Sequence, residues 1–428
     1  EAICSNSVFV GHNIAFDFAC LCVEFPEFIP AVFKLYNEGR VHDTMIREKL
    51  IGIRFGESER RSVKLASCVN RYFNINMIGK EGEDIWRLNY SKLDGVPIDE
   101  WPEDARKYAL DDVSWTWKVL EAQEKAYGDA GTFKDEAAQC RNAWALHLIS
   151  VYGMRVNQER AEDWLEAVEA EAIEGKKTAQ RLGILRDNGT KNMLRLRELV
   201  EEAYQGKPPL TEKGAVSTAG DVLRESNDEA LTAYADSKFN ETLLTRYAPI
   251  FREGRTVHPS YKVLMKTGRT SCSKPNMQNP PRSGGFRECF EPRPGCVFVL
   301  CDYDQIELLA LAQCHIWLFG PSSIADAVNA GRDLHMDVAA KLNPEDPKAF
   351  RQFAKVANYG FPGGLSANSF RSYAKGYAGL EVTEEEAHAI RNAWLETWPE
   401  MKRYFDWIGN QTRWGQADAE QFVSGRIR

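Results

Sequence analysis

Three groups of polar side chains have the types and spacing that phosphate and metal chemistry uses. In the first, Asp302 directly follows the apolar run 297–301, and Gln305 and Glu307 come soon after it. The run predicts a buried strand, and an acid at the end of such a strand can chelate a cation. The alternative is an acid that only caps the junction between strand and helix, and the pattern alone favours that alternative.

The second group is a basic stripe on a predicted helix. Arg351, Lys355 and Tyr359 recur every four residues and therefore share one helix face. Two like charges at this spacing destabilise a helix by roughly 0.2–0.5 kcal/mol, a cost that a phosphate chain lying on the face would offset. His335, upstream of this helix, can add another phosphate contact. An exposed stripe without a ligand is the alternative interpretation.

The third group combines acids with a phenol near the start of the chain. Asp17 follows a predicted strand at the beginning of a helix, and Tyr108 and Asp112 lie one turn apart in a second helix. A carboxylate beside a phenol can hold a metal ion and orient an attacking water, as phosphodiester hydrolysis requires. A Tyr/Asp pair on a helix is more often surface decoration, so the pattern is weak alone.

A basic stretch between residues 261 and 295 favours contact with nucleic acid. It contains a glycine turn with Arg269, and Asn276, Gln278 and Asn279 follow it. Arginine and amide side chains can reach the acceptors that all base pairs share in the minor groove. A solvated polar loop is the alternative. Its basic residues are Lys262, Lys266, Arg269, Lys274, Arg282, Arg287 and Arg293.

These residues need an α/β domain followed by a mostly helical region. Strands are predicted at 7–10 and ending at Asp43, with helices at 15–25 and 103–127, and this alternation favours an α/β domain. A linker is expected near 127–135, and helices dominate 134–250 apart from a loop at 206–217. Further helices are predicted at 307–314, 350–358 and 384–407.

Composition narrows the class of protein. The net charge of −8 argues against a protein that simply coats nucleic acid, but permits an enzyme with acidic metal sites and a local basic track. The ten cysteines form no CxxC pair, which favours reduced thiols in the cytoplasm. No run approaches the roughly 18 apolar residues of a membrane span. The chain begins at Glu1 without a signal peptide, so we expect that Glu1 is not the natural start.

Taken together and in order, these motifs resemble those of the family A DNA polymerases, which include bacterial DNA polymerase I. The matching elements are Thr267-Gly-Arg269, Pro275-Asn-x-Gln-Asn279, Asp302-Tyr-x-Gln-Ile-Glu307 and Arg351-x3-Lys355-x3-Tyr359-Gly360. The first part is similar to proofreading 3′–5′ exonucleases. There the matches are Asn13, Phe16 and Asp17, then His42-Asp43-Thr44, then Tyr108 and Asp112.

The resemblance implies a fold and an activity. It implies an RNase H-like α/β exonuclease domain with a mixed sheet at 1–130 and a mostly α polymerase domain at 131–428. The polymerase domain would form a right hand, with the thumb at about 155–250, a palm segment at about 251–318 and the fingers at about 319–428. The activity implied is template-directed DNA synthesis with proofreading, on primer–template DNA and deoxynucleoside triphosphates.

The resemblance also implies roles for individual residues. Asp302 and the Tyr303 carbonyl would bind Mg²⁺, with Mn²⁺ as a possible substitute, and Glu307 would exclude a ribose 2′-hydroxyl. Lys355 would hold the triphosphate and protonate the leaving pyrophosphate, and Tyr359 would stack under the incoming base. The whole nucleotide-binding set is Gln305, Glu307, His335, Arg351, Lys355 and Tyr359.

Two further sets follow from the same resemblance. The nuclease set is Asp17, Tyr108 and Asp112, of which Asp17 and Asp112 would bind metal. The primer–template set is Arg269, Asn276, Gln278 and Asn279. No residue identifies an accessory replication protein, although such partners are compatible with the family.

Departures from the family pattern lead to further expectations. Pro362-Gly363-Gly364 stands where the family has Tyr-Gly, so we expect the preceding helix to end early. Leu309 replaces an arginine, and neither the Asp-x-Glu exonuclease motif nor the His-Asp-Glu palm motif is present. The missing motifs therefore predict a fragment truncated at both ends and inactive alone. The compact helical thumb region and the variant Phe361-Pro-Gly-Gly364 predict a phage origin. A non-catalytic DNA-binding protein and an exonuclease-only enzyme are the alternatives.

Overall fold

The computed structural model describes residues 5–77, 86–211, 214–253, 256–281, 284–413, 420–421 and 423–426. It divides the chain into two compact units. The first unit consists of Glu1–Ile53 and Glu57–Val299, and the second of Arg54–Gly56 and Leu300–Arg428. The nuclease and primer–template candidates belong to the first unit, and the nucleotide candidates belong to the second.

The first unit begins with a strand–helix–strand arrangement. Strand β1 (Phe9–Gly11) pairs in parallel with β2 (Val41–Asp43), and helices α1 (Ile14–Glu24) and α2 (Ile29–Asn37) connect them. Parallel neighbours require such a crossover. Helix α3 (Thr44–Arg54) follows β2 directly. The predicted order of strand, helix and strand is confirmed, whereas the wider RNase H-like mixed sheet stays a prediction.

Eight more helices are described in the first unit. They are α4 (Leu65–Phe73), α5 (Trp86–Asn89), α6 (Glu103–Tyr127), α7 (Glu136–Tyr152), α8 (Gln158–Arg181), α9 (Met193–Ala203), α10 (Gly220–Glu225) and α11 (Glu229–Glu253). The predictions of a helix at 103–127 and of a mostly helical stretch at 134–250 are therefore confirmed. None of the described helices is long and apolar enough to span a membrane.

Helix α7 shares its core with the strand–helix–strand arrangement. Trp144 on α7 is buried, and its ring stacks on Tyr36 with the ring centroids 5.5 Å apart. Phe18 and Leu35 pack in the same apolar cluster. The helix that follows the predicted linker is thus held by the elements that carry Asp17.

Helices α8 and α11 pack closely because a glycine lies between them. A Cβ atom added at Gly175 would lie 2.4 Å from the Ser237 Cβ and 2.8 Å from the Ala233 carbonyl oxygen. The Ser237 hydroxyl donates a hydrogen bond of 2.9 Å to the Ala172 carbonyl across the same contact. The absence of a side chain at Gly175 therefore sets the distance between the two helices.

Two short antiparallel pairs complete the described strands of the first unit. Strand β3 (Met154–Arg155) pairs with β4 (Thr256–Val257), and β5 (Ser260–Lys262) pairs with β6 (Ser271–Ser273). The second pair is a hairpin whose loop contains Arg269. It therefore presents the predicted primer–template segment on a defined turn.

The second unit is helical throughout its described elements. They are α12 (Ile306–Phe319), α13 (Ser323–Asn329), α14 (Leu334–Leu342), α15 (Pro347–Gly360), α16 (Ala367–Ala378), α17 (Glu384–Thr397) and α18 (Glu400–Thr412). One apolar cluster unites them, with Trp394, Phe361 and Phe370 among its largest fully buried side chains. The prediction that α15 ends early before Pro362 is confirmed, since the helix stops at Gly360 and a short 3-10 turn follows.

Two sequence predictions are wrong in this region. Residues 297–301 form no strand, and Val297, Val299 and Leu300 are 79%, 78% and 94% exposed. An apolar strand is buried only where neighbouring strands and helices cover it, and no described strand pairs with this run. The single helix predicted at 384–407 is two helices, because Pro399 disfavours the helical conformation of the residue before it.

Candidate active sites

Helix α15 places the second polar group on one of its faces, as the spacing predicted. Arg351 is exposed, and Lys355 and Tyr359 are half-buried. The helix begins at Pro347, and the Asp346 side chain accepts a hydrogen bond from the Ala349 N–H as an N-cap. This fixed start anchors a rigid support for two cations and an aromatic ring.

Arg351 is bound to a neighbouring helix end. Its Nε and Nη2 atoms lie 3.0 Å and 2.9 Å from Asp333 Oδ2. Asp333 Oδ1 in turn accepts the backbone N–H groups of His335 and Met336 and so caps α14. Burial raises the pKa of Asp333, but Arg351 and these N–H groups outweigh it and hold the pKa below its usual range. As long as Arg351 holds Asp333, only its remaining N–H groups are available to a ligand.

His335 lies inside the second unit beside Tyr359. It is 3% exposed, and its ring centroid is 5.7 Å from that of Tyr359. Burial lowers the pKa of His335, and the charges of Arg351 and Lys355 act in the same direction against the opposing Asp333. At neutral pH the His335 ring is therefore uncharged and carries one N–H.

The Tyr359 phenol is influenced by the charges of acids that follow residue 301. Burial raises the pKa of the Tyr359 phenol, and the negative charges of Glu307 and Asp304 raise it further. The phenol consequently stays protonated at neutral pH and is available as a donor. The charge of Glu307, at the first turn of α12, therefore acts on the phenol that the face of α15 carries.

Asp302 and Tyr303 are exposed, and Gln305 is the N-cap of α12 in a left-handed conformation with φ of 52°. The Gln305 Oε1 atom is buried and has no hydrogen-bond partner among the described residues. Across the described residues, no group of three or more His, Cys, Asp or Glu side chains is positioned to hold a metal ion. One carboxylate and one carbonyl do not form a cage for Mg²⁺, which prefers six oxygen ligands in octahedral geometry.

The primer–template candidates lie together on the β5–β6 hairpin and the loop after it. Arg269 is exposed in a turn where the Met265 N–H donates to its carbonyl over 2.9 Å. The Gln278 side chain donates to the Thr270 hydroxyl over 2.7 Å, and its backbone N–H donates to Asn276 Oδ1. Asn279 is exposed next to them. Arg282 of the basic stretch lies outside the described residues.

The nuclease candidates line one cavity in the first unit. Asp17, Tyr108 and Asp112 all face a cavity of about 1380 Å³, together with Lys49 and Lys262. Burial raises the pKa of Asp17, and the charge of Asp112 contributes in the same direction. The structure therefore brings the two predicted acids and the phenol to a common space that also contains cations.

Asp43, from the predicted strand that ends in Asp-Thr, organises the wall of this cavity. Its carboxylate is 1% exposed and accepts the backbone N–H groups of Asn13, Ile14, Met45 and Ile46. Burial raises the pKa of Asp43, although these N–H groups oppose the rise. The residue thus fixes the turn before α1, and Asp17 lies on the first turn of that helix.

The sequence did not single out three residues that contact these sites. Asp333 was not part of the predicted charge pattern of α15. Tyr377 on α16 lies 6.5 Å from Tyr359 between ring centroids, and Asn358 hydrogen bonds to His335. Asp333, two residues before His335, could have been recognised in the sequence as a helix-capping acid. The contacts of Tyr377 and Asn358 join residues distant in sequence, and no sequence pattern indicates them.

Comparisons with known proteins identify the family of the chain. The family model described as DNA polymerase family A matches residues 167–426. DNA polymerase I of Aquifex aeolicus is 27% identical over 430 residues, which cover 94% of this chain and 69% of that protein. The thermostable DNA polymerase I of Thermus thermophilus is 28% identical over 215 residues, covering 47% of this chain and 25% of that protein.

A solved structure shares the fold. It is the POL domain of Pol1 from M. smegmatis in complex with a DNA primer-template and dNTP, with a TM-score of 0.64 and 18% identity. The match covers 90% of this chain and 64% of the mycobacterial one. Because the family model spans more than half of the sequence, and includes the hairpin, α12 and α15, the chain belongs to DNA polymerase family A.

Proposed function

We propose that this protein performs template-directed DNA synthesis and that α15 binds the triphosphate of the incoming deoxynucleotide. The face of α15 carries the proposal, because two cations and an aromatic ring lie in a row on it and the charge of Glu307 raises the pKa of the Tyr359 phenol. The mycobacterial relative of the same fold was solved with a primer-template and dNTP. Charge and shape of the face suit the same class of ligand here.

In this proposal, different residues contact the phosphates, the base and the sugar of the nucleotide. Lys355 and Arg351 make charge-assisted hydrogen bonds to phosphate oxygens, which are stronger than neutral ones. Tyr359 offers its ring to the base, and Glu307 lies at the sugar, where a 2′-hydroxyl would meet a carboxylate. Lys355 is also the proton donor that we propose for the leaving pyrophosphate.

The hairpin of the first unit supplies the contacts to primer–template DNA in this proposal. Arg269, Gln278 and Asn279 are exposed side chains with hydrogen-bond donors, and Asn276 holds the loop through its contact with the Gln278 N–H. Donors of this kind fit the minor-groove acceptors, which do not depend strongly on sequence. This accords with an enzyme that must accept any template.

We propose Mg²⁺, with Mn²⁺ as a substitute, as the cation that Asp302 and the Tyr303 carbonyl help to bind. The described residues do not form this site by themselves. The proposal for Asp302 is therefore limited to one carboxylate of a larger ligand set. The phage origin, the cytoplasmic location and the accessory replication proteins stay predictions.

Nucleotide binding by this chain tests the proposal directly. A fluorescent deoxynucleotide should bind wild type, and Lys355→Ala should raise its Kd about tenfold or more. A hydrogen bond to a charged group contributes about 1.5–3 kcal/mol, and about 1.4 kcal/mol corresponds to tenfold in Kd. Lys402→Ala is the matched control, since Lys402 is an exposed lysine on α18. Equal affinity of wild type and Lys355→Ala would overturn the assignment of the α15 face.

A second function is favoured by the cavity in the first unit. We infer that Asp17, Tyr108 and Asp112 take part in 3′–5′ removal of nucleotides, because they line one space large enough for a nucleotide.

The two functions can be separated by mutation in the longest natural open reading frame that contains this sequence. Asp302→Ala should abolish primer extension and leave 3′ digestion of single strands intact. Asp112→Ala should do the reverse. If Asp302→Ala kept more than a few per cent of extension activity, the metal assignment would be wrong.

A further inference from the structure

Asn358 lies on the buried side of α15, between Lys355 and Tyr359, and all its hydrogen-bonding capacity is used. It is 1% exposed. Its Oδ1 atom accepts from the indole nitrogens of Trp394 and Trp398, over 2.9 Å and 3.1 Å. Its Nδ2 atom donates to the Leu334 carbonyl over 3.0 Å and lies 2.9 Å from His335 Nδ1. An amide has two donors and two acceptor sites, so nothing is left unpaired.

The two indoles determine which way the amide faces. An indole N–H only donates, so both Trp394 and Trp398 must meet the amide oxygen of Asn358. The amide nitrogen of Asn358 therefore faces His335, and this nitrogen donates hydrogen bonds but does not accept them. If the amide were reversed, its NH₂ group would face the two indole N–H groups, and three donors would meet without an acceptor. The amide oxygen would then face the Leu334 carbonyl oxygen.

This orientation fixes the tautomer of His335. Because Asn358 Nδ2 donates, His335 Nδ1 must be the acceptor, and in a neutral imidazole the hydrogen then resides on Nε2. Burial lowers the pKa of His335, which keeps the ring in the neutral form. The side-chain hydrogen bond that the structure describes for the His335 ring is the one at Nδ1. The ring beside Tyr359 therefore carries its N–H on Nε2.

We propose that Asn358 is a positioning residue that holds His335 as the Nε2–H tautomer and so supplies a neutral donor for the nucleotide triphosphate. The inference rests on the proposed function of the α15 face. A neutral donor next to Arg351 and Lys355 adds a hydrogen bond to an oxyanion without adding a third positive charge to the free protein. The simpler explanation is that Asn358 only ties α14, α15 and α17 together.

The tautomer can be read without any nucleotide. In ¹⁵N-histidine-labelled chain at neutral pH, long-range proton–nitrogen spectra distinguish a protonated from an unprotonated ring nitrogen, and His335→Gln identifies the His335 signals. We expect an unprotonated Nδ1 and a protonated Nε2. A protonated Nδ1 in the wild-type chain would overturn the proposal, and this result does not depend on any Asn358 variant folding.

Two variants separate positioning from structural support. Asn358→Asp keeps the size of the side chain, but a carboxylate only accepts, so His335 should become protonated on Nδ1. Trp398→Phe removes one donor to Asn358 Oδ1 and leaves the contact with His335 in place. Both should lower the melting temperature, whereas only Asn358→Asp should change the tautomer and weaken dTTP binding about tenfold, equivalent to about 1.4 kcal/mol.

The outcomes separate this inference from the function on which it rests. Equal loss of dTTP affinity in both variants, or an unchanged tautomer in Asn358→Asp, would reduce Asn358 to structural support and overturn the proposal. If wild type showed the Nε2–H tautomer but bound no dTTP, the proposed function would fail. The control of His335 by Asn358 would then stand as a property of the fold.

Discussion

Replacing Glu400 with glutamine should destabilise the second unit in a pH-dependent way. Glu400 is 6% exposed at the start of α18, and its Oε1 atom accepts from the Ser322 hydroxyl and the Ile324 N–H, each over 3.0 Å. Its Oε2 atom accepts from the Ser323 hydroxyl over 2.6 Å. His315 Nδ1 lies 3.7 Å from Oε1. The carboxylate thereby joins the N-terminus of α13 to the start of α18.

The size of the effect follows from the pKa of Glu400. Burial raises this pKa, but His315, the Ser323 hydroxyl and the Ile324 N–H outweigh burial and lower it from 4.5 to about 2. Each pKa unit corresponds to about 1.36 kcal/mol. The ionised carboxylate therefore contributes up to about 3 kcal/mol above pH 4.5, and this contribution is lost as the pH falls towards 2.

Urea unfolding followed by hydrogen exchange in α13 and α18 measures the effect locally. Glu400→Gln keeps an acceptor oxygen and removes the charge, so it should lose about 2–3 kcal/mol at pH 7. At pH 3.5 the difference in unfolding free energy between wild type and Glu400→Gln should be about 1 kcal/mol smaller, because part of the wild-type Glu400 is then protonated. A local probe is needed because a chain of two units need not unfold in one step.

The matched control is Glu396→Gln. Glu396 Oε2 lies 3.5 Å from Lys341 Nζ, and the side chains of Glu396 and Lys341 are 62% and 52% exposed. Exposed pairs of this kind contribute about 0–1 kcal/mol, so the control should change stability little. A Glu400→Gln protein as stable as wild type at pH 7 would refute the reasoning. If the difference in unfolding free energy between wild type and Glu400→Gln is the same at pH 7 and pH 3.5, the lost stability does not come from the charge of Glu400.

Two further predictions concern the nucleotide and use the longest natural open reading frame that contains this sequence. Glu307→Ala should admit ribonucleotides more readily, because the carboxylate no longer opposes a 2′-hydroxyl; equal discrimination in wild type and variant would remove Glu307 from this role. Tyr359→Phe should lower the use of dideoxynucleotides relative to deoxynucleotides by about tenfold, since a hydrogen bond to a charged group contributes roughly 1.5–3 kcal/mol. Steady-state incorporation opposite one template base measures the ratio, and indistinguishable ratios would mean that the phenol only stacks.

The sequence predicted those features that depend on neighbours in the chain. The spacing of Arg351, Lys355 and Tyr359 was enough to place them on one helix face, and α6 has the predicted bounds. Helix periodicity requires only that the surrounding residues be helical. The break at Pro399 followed the same local logic, and the error at 384–407 came from giving periodicity more weight than the proline.

Features that depend on distant residues escaped the sequence. The hydrogen bonds of Asn358 join Leu334 and His335 on one side to Trp394 and Trp398 on the other. No local pattern marks an asparagine for that role. The run 297–301 failed for a related reason, because an apolar segment predicts burial but cannot supply the strands that would bury it.

The two polar contacts of α15 explain how its ligand-binding face keeps its direction. Apolar packing alone permits small rotations of a helix, whereas hydrogen bonds weaken steeply when their angles change. Arg351 binds Asp333 near one end of α15, and Asn358 binds His335 near the other. Both partners belong to the start of α14, so the two helices form one rigid pair. A triphosphate that draws Arg351 away from Asp333 would release the first contact only, while Asn358 keeps Lys355 and Tyr359 in place.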